Sequence, residues 1–178
     1  MDLASKFESG LTYSDFLAEY GGTYKDRWDV VHNAIQLSDA QTQLLASFGR
    51  EMKVLVLAGT WCGDCVDQCP ILDRFAGQND KINIRYFDRD ANPDLGELLS
   101  TCGAARVPAV LFLSEDNAVC GRYGDRTLTR YREMATMQLG GDAPQDVRAA
   151  VVQEWLNEFE RIQLMLRLSG RLRQLHAD

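Results

Sequence analysis

Two cysteines with two residues between them, Cys62 and Cys65, follow closely on the short apolar run Met52 to Ala58, and that junction limits the fold more than any other part of the chain. A continuous apolar run of this length fits a strand buried on both faces in the middle of a sheet. Gly59-Thr60-Trp61-Cys62-Gly63-Asp64-Cys65 then hands over to a helical stretch reaching about Gln78, so Cys62 falls at the helix N-terminus. Cysteines at i and i+3 on a first helical turn bring their Cα atoms within the span a disulfide accepts. The unpaired N–H groups of that turn favour the Cys62 thiolate, the form that attacks a disulfide.

A helix terminus worth about 0.3–1 kcal/mol moves a thiol pKa by well under one unit, so the Cys65 S–H and local N–H groups must add to it. Asp64, read as an exposed carboxylate beside Cys62, opposes a second negative charge weakly. The implied couple is therefore reducing. A structural zinc site would need two further ligands in a second close pair, yet Cys102 and Cys120 are isolated and His32 and His176 lie far off. Redox chemistry without a metal or organic cofactor is the expectation, ahead of zinc binding or an inert pair.

Around the junction, helices are predicted over Tyr13 to Tyr20, Thr23 to Leu37 and Ser38 to Phe48, the last with a Ser38/Gln41 capping pair and a stop at Gly49. No regular strand is expected before Met52. A strand follows over Ile82 to Asp88, then a short helix from Pro93 to near Gly103, a strand over Val107 to Leu113, a turn at Asp116-Asn117 and a partner strand over Ala118 to Tyr123. From Thr127 onward the chain reads as helix, broken at Gly140 to Pro144. The apolar stripe Val147, Val151, Trp155, Phe159, Ile162, Leu166 packs on the sheet, and a helix running on to about Leu175 leaves room for a homodimer or partner contact.

With 178 residues the chain suits one core, read as a single domain: a helical extension over 1–50, a core over 51–125 and C-terminal helices over 126–178. A formal net charge of −7 disfavours a nucleic-acid partner. Neither a secretory apolar run at the N-terminus nor a membrane-length apolar stretch is present, and the five cysteines do not form a secreted disulfide framework. A cytoplasmic protein without membrane contact is expected.

These residues resemble the thioredoxin superfamily. Pro70, five residues after Cys65, resembles that family's helix-kinking proline, and Cys69-Pro70-Ile71-Leu72-Asp73-Arg74-Phe75-Ala76 is similar to its sequence there. Gly103-Ala104-Ala105-Arg106-Val107-Pro108 resembles the segment ending in the family's cis-proline, and Gly121 and Gly124 fall where its last hairpin strand nears the site. The similarity covers Lys53 to Tyr123. Thr60 to Cys65 with helices in front looks most like a group of bacterial thioredoxin-like proteins.

The resemblance implies a central mixed sheet flanked by helices, a nucleophilic Cys62, a resolving Cys65 and substrate contact along Trp61, Gly63, Asp64, Val107 and Pro108. Two departures accompany it: residues 1–50 read as helix where the family begins with a strand and helix, and Val56 stands where it usually carries a buried Asp. If that Asp relays a proton in the family, water or another group must take the proton from Cys65 here, with Asp64 and Asp88 as the candidate side chains. Arg106 is a candidate contact for an acidic substrate or an exposed loop residue. Cys69, Cys102 and Cys120 are read as packing residues.

The expected activity is reduction of disulfides, in a protein or small molecule, with electrons from an external thiol or reductase. The rival expectation is a non-catalytic binding or adaptor protein whose cysteine pair is incidental.

Overall fold

The computed structural model describes residues 1–142 and 146–177, so Ala143 and Pro144 of the expected break lie outside it. Four helices precede the sheet: α1 (Leu3–Glu8), α2 (Tyr13–Tyr20), α3 (Lys25–Ala34) and α4 (Asp39–Ala46). Next come β1 (Met52–Ala58), α5 (Gly63–Ala76), β2 (Ile82–Asp88), α6 (Pro93–Leu98), β3 (Ala109–Ser114) and β4 (Val119–Gly124). The helices α7 (Leu128–Gln138), α8 (Val147–Leu168) and α9 (Gly170–His176) follow.

The strands form one mixed sheet in the order β2-β1-β3-β4. β1 pairs parallel with β2 and antiparallel with β3, and β3 pairs antiparallel with β4. Every residue of β1 but Lys53 is buried, which is why its sequence is continuous and not alternating. This is the thioredoxin-like fold expected, with helices at both termini.

No regular strand precedes Met52 among the described residues. The outer edge of β2 is instead met at one point, where Leu11 and Tyr86 exchange backbone hydrogen bonds of 3.1 and 2.8 Å. Phe16 packs there between Trp28 and Tyr86, with its ring centroid 5.9 and 5.7 Å from theirs. The Trp28 indole donates to the Thr60 carbonyl at 2.9 Å, and the Thr60 hydroxyl to the Tyr20 carbonyl at 2.8 Å. The N-terminal helices thus brace the segment entering the cysteine pair. Ser38 and Gln41 form the capping box their spacing predicts.

Several boundaries differ from expectation. The helix α1 escapes a periodicity reading because it is short, capped by Asp2, and buries only Phe7. The helix α6 ends at Leu98, well short of Gly103, and Cys102 and Gly103 adopt left-handed φ values of 52° and 73° that no α-helix accommodates. The strand β3 starts at Ala109, after Pro108, which has no N–H to give a ladder. The C-terminal helix breaks at the extended Ser169, whose hydroxyl accepts from Leu172 N–H and opens α9.

On α8, Trp155, Phe159 and Ile162 are fully buried, with Phe159 edge-on to Phe75 of α5 and to Phe112 of β3 at 5.3 Å each. The stripe packs on the sheet, as its spacing predicts. No described helix is long and apolar enough to cross a membrane.

Candidate active site

The strand β1 delivers the chain to Gly59, and Cys62 becomes the extended N-cap of α5, with φ −80° and ψ 123°. Cys62 is half-buried; Cys65, one turn on, is fully buried and accepts from the Gly59 N–H at 3.5 Å. The Val107–Pro108 bond is cis, and the Cys62 thiol donates to the Val107 carbonyl at 3.6 Å. The two sulfurs therefore stand in the expected order of exposure, beside the expected bend.

Both thiols are held well above the usual value. For Cys62 the main causes are its hydrogen bond with the Cys65 thiol and partial burial, opposed by the N–H groups of Cys65 and Asp64. For Cys65 burial dominates; the bond with Cys62 lowers it, and a hydrogen bond with Cys69 raises it further. Charge on one sulfur excludes charge on its neighbour. A charge on Cys65 would be wholly buried, whereas Cys62 is half-exposed and faces two N–H donors.

Trp61 is 40% exposed, and the Arg89 guanidinium lies 4.4 Å from its ring centroid. Gly63 is exposed, with open space where a side chain would project. A Cβ on Gly124 would overlap the Pro108 carbonyl oxygen, so glycine lets β4 close on the bend. Gly121 does not approach the site: its missing Cβ faces Arg161 and Ile162 of α8.

Asp64 corrects the sequence reading. It is buried, and its two oxygens meet Arg126 Nη2 at 2.6 Å and Arg130 Nε at 3.2 Å. Sequence reasoning could not see this pairing, because the arginines lie more than sixty residues downstream. Arg106 is partly exposed and donates to Asp125 at 3.2 Å, with Arg126 on the same carboxylate oxygen at 3.3 Å. Tyr131 also donates to Asp125. Burial alone would raise the Asp125 carboxyl, but these donors outweigh it and hold it below the usual range. Asp125, Arg126 and Arg130 were missed as site neighbours; Gly124 in the preceding strand was their only signal.

Neither proposed replacement for the buried Asp is available. Asp64 is held by arginines, and Asp88 accepts from the Asp90 and Ala91 N–H groups in the turn after β2. Val56 is fully buried in β1. Cys69 packs in the core as expected, but Cys102 is exposed in a left-handed turn, not packed, and Cys120 is half-buried. No cluster of three or more metal-ligating side chains occurs among the described residues.

A family model described as thioredoxin matches residues 10–138, well over half of the chain. The chain belongs to the thioredoxin family. Among solved structures it is similar to a protein of unknown function from Pseudomonas aeruginosa, with 19% identity, a TM-score of 0.74, and coverage of 91% of this chain and 96% of that one. An HIV epitope scaffold is similar at 20% identity and a TM-score of 0.68, over 91% of this chain and 97% of the scaffold. These likenesses carry the fold alone. No curated protein matches the sequence significantly.

Proposed function

We propose that the protein is a thiol–disulfide oxidoreductase that reduces disulfides through Cys62 and Cys65. The observation that carries this reading is the pairing of a half-exposed Cys62 at a helix N-cap with a buried Cys65 one turn on, beside the Val107 carbonyl. Within the family, Thr60 to Cys65 preceded by helices suggests kinship with bacterial thioredoxin-like proteins.

In the forward direction the Cys62 thiolate attacks one sulfur of a substrate disulfide. A Cys62–substrate bond forms, the substrate S–S bond breaks, and the departing sulfur takes a proton. Cys65 then gives its proton to water and attacks the Cys62 sulfur; the Cys62–substrate bond breaks, the second substrate sulfur leaves as a thiolate and takes up a proton, and a Cys62–Cys65 disulfide remains. Two electrons pass to the substrate, and an external thiol or thiol reductase restores the dithiol.

The raised thiols favour this direction. A reduced pair that gains little from ionisation gives a reducing couple, whereas a stabilised thiolate gives an oxidising one. The exposed Trp61 and the Val107–Pro108 bend flank Cys62 and offer a docking strip for an extended disulfide-bearing segment.

The test is reduction of insulin disulfides with a small thiol as electron source. The wild-type protein is expected to accelerate the reaction, and Cys62→Ser to abolish the acceleration. Equal rates for the two proteins would favour a binding or adaptor role.

A further inference from the structure

We propose that Arg126 is a positioning residue for Cys62: it grips the Asp64 side chain, keeping the first-turn N–H donors of α5 on the sulfur, and through Asp125 it ties that turn to the Val107–Pro108 segment. The proposal rests on the reading that Cys62 is the reactive thiol.

The connection can be followed atom by atom. Arg126 Nη2 lies 2.6 Å from Asp64 Oδ2, and its Nη1 lies 3.3 Å from Asp125 Oδ2. The same Asp125 oxygen accepts from Arg106 Nη1 at 3.2 Å, and Arg106 immediately precedes Val107, whose carbonyl lies 3.6 Å from Cys62 Sγ. One guanidinium thus joins the two chain segments that border the thiol. Neither carboxylate has ready access to water as a substitute, since the Asp64 and Asp125 side chains are only 11% and 5% exposed.

Arg130 reinforces the grip from α7, reaching Asp64 Oδ1 at 3.2 Å and Asp67 at 3.1 Å, with Glu133 beside it. Arg126 differs from Arg130 in also meeting Asp125, the carboxylate that Arg106 contacts. Its Nε is buried without a hydrogen-bond partner among the described residues, a cost that a freely placed surface arginine would avoid.

The consequence for Cys62 has one sign. The N–H groups of Asp64 and Cys65 favour its anion, so releasing the Asp64 side chain loosens a donor. Removing Arg126 also removes a positive charge from beside an anionic side chain. Both changes disfavour the thiolate. An arginine with only a structural role would lower stability and leave Cys62 unchanged. One acting only as a distant charge would shift Cys62 equally with or without Asp64.

The experiment is iodoacetamide alkylation of the full-length reduced protein across a pH series, with Cys62 read separately from the other cysteines by peptide mass. In Arg126→Gln, Cys62 is expected to react about threefold more slowly near neutral pH, with its profile moved upward. Arg126→Lys keeps the charge but reaches only one of the two carboxylates, and a smaller slowing is expected. In an Asp64→Asn background, Arg126→Gln should have less than about half its logarithmic effect.

An unmoved Cys62 profile in Arg126→Gln overturns the proposal, as does an equal shift in both backgrounds. Should Arg126→Gln not fold, an unmoved profile in Arg126→Lys overturns it instead. The same digests report on the underlying reading. If oxidation yields no Cys62–Cys65 disulfide, that reading fails and the clamp with it; a disulfide with unmoved alkylation removes the clamp alone.

Discussion

The Trp155 indole donates to Gln68 Oε1 at 3.0 Å, and the Gln68 amide nitrogen donates to the Asp125 carbonyl at 3.2 Å, so one buried side chain links α8, α5 and the turn after β4. Gln68 and Trp155 are both fully buried. Replacing Gln68 by Leu strands a donor and an acceptor, each worth about 1–3 kcal/mol when unpaired and buried. The expected loss is about 2–4 kcal/mol in urea unfolding. A loss below about 0.5 kcal/mol would mean that water restores both bonds.

Asp64→Asn should move Cys62 in the opposite direction from Arg126→Gln. It removes the anion near the thiol and leaves Arg126 and Arg130 facing a neutral amide, so the thiolate gains. The expected fall is about half a pKa unit, read by site-resolved alkylation, with a stability loss of about 1–2 kcal/mol from the broken pairs. A rise in the Cys62 pKa would mean that loosening of the first turn outweighs the lost charge.

The N-terminal helices are expected to be integral to the fold. Phe16→Ala opens a hole between Trp28 and Tyr86, and the expected cost is about 3–5 kcal/mol in chemical denaturation. A cost below about 1 kcal/mol would indicate that these helices separate from the sheet before it unfolds.

Acid stability depends on Asp125. Its folded pKa lies below its unfolded value because Tyr131, Arg106 and Arg126 donate to it against the cost of burial. A depressed carboxyl stabilises the fold above its unfolded pKa of about 3.9, and that contribution is lost as pH falls through the lower folded value. Asp125→Asn should therefore be less stable at neutral pH and lose less further stability below about pH 4. Parallel stability curves for the two proteins from neutral to about pH 2 would contradict this.

The central strand, the helix carrying the cysteines and the strand at Ile82 were legible because each is dictated locally: a doubly buried run, a strand-to-helix junction, a short alternation of buried and half-buried residues. The environment of Asp64 was not. A carboxylate two residues from Cys62 reads as solvated until α7 is folded back and Arg126 and Arg130 close on it. Cys102 was misread for a related reason: a cysteine is usually a packing residue, and nothing local announces its left-handed turn. The short helix α1 and the Leu11–Tyr86 bridge depend on the free edge of β2, which the N-terminal sequence alone does not reveal.

The central claim, that Cys62 attacks and Cys65 resolves, is tested most directly by exposing the Cys65→Ser protein to a small symmetrical disulfide and locating the adduct by peptide mass. Cys102 is the more exposed thiol and provides the internal competitor. A stable mixed disulfide is predicted on Cys62, formed faster than any on Cys102. In the otherwise identical protein retaining Cys65, that adduct should collapse to a Cys62–Cys65 disulfide. Modification of Cys102 with Cys62 left free, or a Cys62 adduct that persists equally when Cys65 is present, would contradict the account.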